Sequence, residues 1–329
     1  MANATPTNLG QVNNAGATDA LFLKMYAGMV LAAYARFNQF EAKAFVKMVT
    51  AGKSASFPAI GRSTAEYHTI GAELLGNTVN QNEVIITADA QMVAHEFIAE
   101  WEDLVNHFEV HSIIASEQGK ALATQTDRHL LIELFNGACS NGATGAATAA
   151  TVTGLGSGTV ITDTGLASGT DTTKVAAIIA AIRQSAVALD GNDAPTDGRF
   201  AVMNPTDYYL LVNTAQTNGF SAINADYGTS GSLAEGKVFR IDGIDIVKTN
   251  NLPTTNLSAS GIDTYHSADF SKTVGLVGVQ NCVGMTKLQS IKSTSHDDVR
   301  RLGDLLVSRQ VVGIKALRPE CCVAWRDEA

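Results

Sequence analysis

The sequence predicts an α+β protein built of two sub-domains, and three observations carry that prediction. The chain has 329 residues, more than one hydrophobic core usually serves. A helical hydrophobic period runs over 111–138, and short β-branched runs bounded by turn residues lie on both sides of it. Between the two halves, 139–170 is a nearly uncharged stretch of Gly, Ala, Thr and Ser, too weakly apolar to build a core and hence a boundary. Hydrophobic residues make up 45% of the chain and charged residues 17%, so there is ample material to bury. The low charge and a mean hydropathy of +0.07 imply that much of the surface ends against other protein.

Residues 1–17 are small and polar, the composition of an arm that orders only against a neighbour. From Asp19, an N-cap type, to Val49, apolar residues such as Leu23, Met29, Tyr34, Phe37 and Phe45 fall on most faces of a helix. The whole segment is expected to be helical and covered in part by another subunit. Residues 54–60 and 83–88 read as strands joined by a Gly/Asn-rich connection over 76–82. Pro58 cannot donate to a central ladder, so its strand belongs at an edge. A lone two-stranded hairpin is marginal in water; it needs a partner, and Phe57 and Ile60 are its apolar anchors.

Residues 90–108 read as mixed helical and irregular sequence. In the helix 111–138, Ser112 is the N-cap candidate, Ile113, Ile114, Leu122, Leu130, Leu131, Leu134 and Phe135 the buried side, and Glu117, Lys120, Asp127 and Arg128 the wet side. At ~1.5 Å per residue it runs roughly 40 Å. A helix over 171–190 ends at Gly191 as its left-handed residue. A buried strand follows at 200–203, Pro205 opens a helix through 212, and 238–248 is a hairpin pivoting at Gly243. Strands are expected at 274–283, 285–294, 305–316 and 321–325, with a charged turn over 296–301. The last fifty residues are expected to return to the first sub-domain.

Several function classes find no support. Net charge is −9 without a Lys/Arg run, so the footprint that neutralises phosphates is missing. No apolar run in the sequence approaches the ~20 residues of a membrane span, and the N-terminal residues lack the features of a secretion signal, so a cytosolic product is expected. Gly52-Lys53-Ser54 resembles the tail of a P-loop, but Lys47 stands where its first glycine belongs. Gly154-Leu155-Gly156-Ser157-Gly158 is followed by Thr159, against the dinucleotide fingerprint. His107 and His111 have the spacing of a metal pair without a third ligand nearby, and His95-Glu96 lacks a second histidine. There is no G-x-S-x-G elbow and no C-x-x-C pair, so Cys139, Cys282, Cys321 and Cys322 read as small core residues. No catalytic residue, cofactor or metal is expected.

Ordered blocks along nearly the whole chain resemble the T7-like major capsid proteins. They are Ala20-Leu21-Phe22-Leu23-Lys24, Gly52-Lys53-Ser54-Ala55-Ser56-Phe57-Pro58 with Gly61-Arg62, and Asn106-His107-Phe108-Glu109-Val110. Ile178-Ile179-Ala180-Ala181, Val283-Gly284, Lys287-Leu288 and Leu317-Arg318-Pro319-Glu320 follow in order. The resemblance implies an HK97-like capsid fold: an N-terminal arm (1–51), an extended E-loop hairpin (52–88) and a P-domain with a long spine helix (89–138). An A-domain (139–271) and P-domain return strands (272–329) complete it. It further implies a virion protein assembled in the host cytoplasm. Copies of the chain would form hexamers and pentamers of an icosahedral shell, with a scaffolding protein and a portal as partners. The shell would enclose double-stranded DNA without sequence-specific binding. Lys53, Phe57, Pro58, Ile60, Arg62, Arg318 and Glu320 are the candidate inter-subunit contacts.

Two rival readings are an encapsulin-like compartment, which shares the fold but encloses protein, and a β-rich tail or adhesin component. The phage-like blocks disfavour the first, and the helices at 111–138 and 171–190 disfavour the second.

Overall fold

The computed structural model describes residues 20–71, 73–74, 76–105, 110–140, 156–167, 169–214, 240–257, 266–298 and 300–328. The expected arm at 1–17, most of the low-complexity stretch, His107 and the start of the 238–248 hairpin lie outside the described residues. In chain order the elements are α1 (Ala20–Phe37), a 3-10 turn (Glu41–Lys43), β1 (Phe45–Met48), β2 (Ser54–Ile60), β3 (Gln81–Thr87), β4 (Met92–Ala99) and α2 (Glu100–Val105). Then come α3 (Val110–Ala138), β5 (Thr159–Thr162), α4 (Asp171–Gly191), β6 (Arg199–Met203), α5 (Pro205–Thr214), β7 (Arg240–Ile241) and β8 (Ile244–Lys248). Strands β9 (Thr273–Val279), β10 (Val283–Asp298) and β11 (Gly303–Ala316), a 3-10 turn (Pro319–Cys321) and β12 (Cys322–Arg326) complete the chain.

The elements fall into two units, one of Met1–Gln39, Ala88–Asp127 and Lys287–Val312, the other of Phe40–Thr87, Arg128–Thr286 and Gly313–Ala329. Three of the five dividing points lie inside α3, β10 and β11. A four-stranded sheet has the order β1-β10-β11-β4, a six-stranded sheet the order β5-β12-β9-β6-β8-β7, and β2-β3 stand as a separate pair.

In the first unit α1 lies along α3. Tyr26 and Val30 are buried with Ala115 and Leu306, and Tyr34 with Leu122 and Ala123. The two helices approach so closely at Gly119 that a Cβ there would stand 2.5 Å from the Val30 carbonyl and 2.8 Å from the Ala33 Cβ, so only glycine fits. Buried Gln118 is satisfied: its Oε1 accepts from the Tyr26 hydroxyl at 2.5 Å and the Ser308 hydroxyl at 2.7 Å, and its Nε2 donates to the Leu306 carbonyl. Such pairing removes most of the penalty of a buried amide. Helix α1 thus covers one face within its own unit, while Met25, Met29 and Leu31 stay exposed.

In the second unit β6, β9 and β12 are buried along their entire length, as the middle of a sheet covered on both faces must be. The C-terminal part of α3 is buried on every side from His129 to Ala138, with the Phe135 and Phe270 rings 4.6 Å apart. Helix α4 is long and apolar enough to cross a membrane by length and composition. It buries Val175, Ile178, Ile182 and Leu189, and Ser185 within it accepts the Trp325 indole N–H at 2.8 Å, which marks a core helix.

The observed elements correct several expectations. Helix α1 stops at Phe37, and Phe45–Met48 is an edge strand: aromatic and β-branched residues satisfied by a sheet neighbour override a helical pattern. Residues 92–99 form a strand antiparallel to β11, from Gly303↔Ala99 to Gln310↔Met92. His95 and Glu96 break the apolar alternation that would have marked it. Helix α3 begins at Val110, which puts Ser112 inside it. Ile113 is exposed, and Asp127 is buried where it accepts the Gln39 backbone N–H at 3.0 Å. The left-handed residue after α4 is Asp193, at φ 51, rather than Gly191. The Ala194 N–H bonds the Leu189 carbonyl and the Asp193 N–H the Asp190 carbonyl, the double closure that ends many helices. Strand β10 runs through His296 to Asp298, so the turn comes later. The last fifty residues divide between two sheets: β12 pairs with β5 and β9 in the six-stranded sheet, while β10 and β11 belong to the four-stranded one.

Candidate assembly interface

Strands β2 and β3 pair antiparallel from Ser54↔Thr87 to Ile60↔Gln81, with Pro58 opposite Glu83. Because the pair has no third strand, the missing N–H of Pro58 breaks no ladder. One face of the hairpin is apolar: Ala55, Phe57, Val84 and Ile86 are buried. Phe57 is 7% exposed and packs with Ala55, Ile86, Val49 and Leu317. The Phe45 ring meets it edge-on at 5.8 Å, and the Lys47 ammonium stands 5.2 Å from its centroid. Phe57 therefore seals the hairpin base to its own chain and offers a neighbour little surface. Alternation along β2 points it inward with Ala55, on the face opposite the exposed Ile60.

The outward residues differ. Ile60 is 59% exposed, and in the loop beyond it Tyr67 and Ile70 are fully exposed and Leu74 74% exposed. Sequence reasoning missed these three. The available signal was three large apolar residues in a segment with neither helical nor strand period. Lys53 and Pro58 are exposed, at the start and on the outer face of β2.

Arg62, Arg318 and Glu320 are brought into one connected network. The Arg62 guanidinium donates through Nη1 to the Asp193 carboxylate and through Nη2 to the Asn192 carbonyl. The Asn192 amide donates to the Glu320 carbonyl at 3.1 Å. The Glu320 carboxylate is buried and accepts from Arg318 Nε at 2.9 Å. These residues thus hold the chain together internally; Arg62, Arg318 and Asp193 leave part of their surface free, while Glu320 is buried.

Exposed apolar residues also occur elsewhere. Phe45, Val46 and Met48 on β1 in the second unit are exposed, as are Trp101 and Val105 on α2 and Ile113 on α3 in the first. Scattered single residues of this kind are ordinary, but clusters on edges mark protein contact.

The cysteines present no reactive centre. All four are buried. Burial pushes the Cys139 thiol up to about 11 and the Cys321 thiol up to about 12. A thiol reagent at pH 8 is therefore expected to leave Cys139 and Cys321 unlabelled in the native subunit and to label both after denaturation, since the thiolate is the nucleophile. Rapid labelling of the native protein would contradict this environment.

A family model described as Gp10A-like, major capsid protein, matches residues 56–326. The chain is 28% identical to the major capsid protein of Escherichia phage T7 over 338 aligned positions, covering 97% of this chain and 95% of that protein. Among solved structures, a chain of the cyanophage P-SCSP1u capsid matches with a TM-score of 0.73 at 33% identity, covering 99% of both chains. A chain of the bacteriophage PhiM1 mature capsid matches with a TM-score of 0.70 over 88% of this chain and 86% of that one. At 18% identity that likeness is one of fold alone.

Proposed function

The chain belongs to the Gp10A-like major capsid protein family, has the HK97-like fold of tailed-phage capsids and is part of the virion shell, and from that premise we propose how it assembles. Copies of the chain form hexamers and pentamers that close an icosahedral shell around double-stranded DNA, with a scaffolding protein and a portal as assembly partners. Residues 1–51 act as the N-terminal arm, 52–88 as the E-loop, and the remainder as P-domain and A-domain. The chain is a structural subunit that performs no catalysis.

The observation that carries this reading is the asymmetry of the β2–β3 hairpin. Its base is sealed by Phe57 and Ile86, while Ile60, Tyr67, Ile70 and Leu74 project apolar surface into solvent. Exposed apolar surface of this kind has a favourable outlet only against another protein, and in a shell that protein is a second copy. Lys53, Arg62 and Arg318 flank the same hairpin or its anchorage and form the polar rim of the contact, with Pro58 on the outer face of β2. The net charge of −9 suits a container whose lining must not grip a sliding duplex.

Co-expression of this chain with its scaffolding protein, followed by negative-stain microscopy, is the test. Closed shells of uniform diameter are expected, and filled particles should show the 260 to 280 nm absorbance ratio of nucleic acid. A discrete small oligomer under all conditions would overturn the reading.

A further inference from the structure

We propose that Arg62 is a positioning residue that latches the β2–β3 hairpin to the C-terminal end of α4 and so sets the direction in which the hairpin tip is presented. It rests on the shell reading only for its consequence in assembly. The latch itself is a property of the single chain.

Arg62 lies two residues past the end of β2, at the root of the loop that carries Tyr67, Ile70 and Leu74. The Gly61 N–H bonds the Asn80 carbonyl, so this point closes the hairpin mouth. There the guanidinium reaches across to two acceptors, the Asp193 carboxylate and the Asn192 carbonyl. Two N–H bonds from a planar fork to two fixed acceptors set an orientation, which a single point charge does not. The acceptors are themselves well placed. Asn192 and Asp193 cap α4, whose carbonyl end attracts a cation, and the closing bonds from Asp193 and Ala194 hold the cap in shape. The Asn192 side chain is tied to Glu320, which is buried against Arg318. One end of the latch is thus rigid, and the other is the root of an exposed loop.

Both partners are solvent-exposed in part, with side-chain exposures of 44% and 77%, and exposed pairs contribute little to global stability. Their effect is directional. The Phe57 cluster holds the hairpin base, and the Arg62 fork holds its mouth, so the two together leave the strand pair no swing about its base. Without the fork only the base remains.

Hydrogen exchange on the isolated subunit tests the latch without reference to shells. Arg62→Ala should speed exchange of the amides at 54–60 and 81–87 at least five-fold while leaving the thermal midpoint and the rest of the map unchanged. Asp193→Gly is the informative second variant. Glycine suits the left-handed position at least as well as aspartate, so the helix cap survives while the carboxylate is lost. It should loosen the same amides to a smaller degree, and adding it to Arg62→Ala should change nothing more, because Arg62→Ala already removes the bond to Asp193 along with the one to Asn192. Salt at about 1 M, where screening acts over roughly 3 Å, should move the unaltered chain toward the Arg62→Ala rates. Additive effects, or unchanged exchange in Asp193→Gly, would overturn the latch. Loosened amides with normal shells would leave the latch standing and remove its role in assembly.

Discussion

Ile70→Asp is expected to give a folded, soluble subunit that forms no shells. Ile70 is fully exposed in the single chain, and Tyr67 and Leu74 share its loop; a charge there meets only water, and fold stability should change by less than about 0.5 kcal/mol. In an assembly the same side chain enters a contact, where loss of an apolar anchor typically costs about 2 kcal/mol or more and a buried unpaired carboxylate costs more still. The contact recurs in every subunit of a closed shell, so the loss multiplies through each ring. Circular dichroism should match the unaltered protein, and sedimentation should show only small oligomers. Phe57→Asp is the contrasting variant. With 7% exposure and Val49, Ala55, Ile86 and Leu317 around it, a carboxylate at 57 is buried in the chain's own core and should lower the unfolding free energy by roughly 3 kcal/mol. Normal shells from Ile70→Asp would remove the tip from the interface. Stability in Phe57→Asp equal to that of the unaltered chain would remove the hairpin base from the core.

Trp325→Ala should be the most damaging single truncation in the second unit, by about 3–5 kcal/mol out of the 5–15 kcal/mol typical of a whole domain. Trp325 is 0% exposed and sits on β12 between β5 and β9. It lies directly across from Gly275. The indole ring occupies the space that a Cβ at 275 would need, and its N–H is satisfied by Ser185 on α4. A cavity there is walled by two paired strands and a helix, which collapse poorly, so the upper part of the range applies. Ser185 still donates to the Ala181 carbonyl at 2.7 Å, so the loss is chiefly one of packing. Denaturant titration of the isolated subunit measures it. Gly275→Ala should destabilise the unaltered chain yet cost much less in the Trp325→Ala background, where the ring no longer fills that space. A loss below about 1 kcal/mol would mean that the sheet closes over the gap.

The regular elements were legible because each carries its own signal. Apolar spacing through Leu122, Leu130, Leu131 and Leu134 marks α3. Pro205 opens α5, Asp242-Gly243 turn the β7–β8 hairpin with both residues at positive φ, and Pro58 confines β2 to an edge. These rules are local, acting within one turn of helix or one strand pair. The ordered blocks along the chain likewise sufficed to point to the family that the comparisons show. What the tertiary structure alone decided concerns partners distant in sequence. Whether 45–48 continues a helix or edges a sheet depends on a partner more than two hundred residues away, and 92–99 becomes a strand because β11 is there to receive it. Period 2 says that Phe57 and Ile60 face opposite sides of β2, but not which side the chain itself covers. Leu317 and Val49 settle that by burying Phe57 and leaving Ile60 outside. The same holds for Arg62 and Glu320, linked through Asn192 across separations of more than a hundred residues. Short-range sterics and hydrogen bonding write element type into the sequence locally, whereas burial is a property of the packed whole, and the interface is whatever that packing leaves exposed.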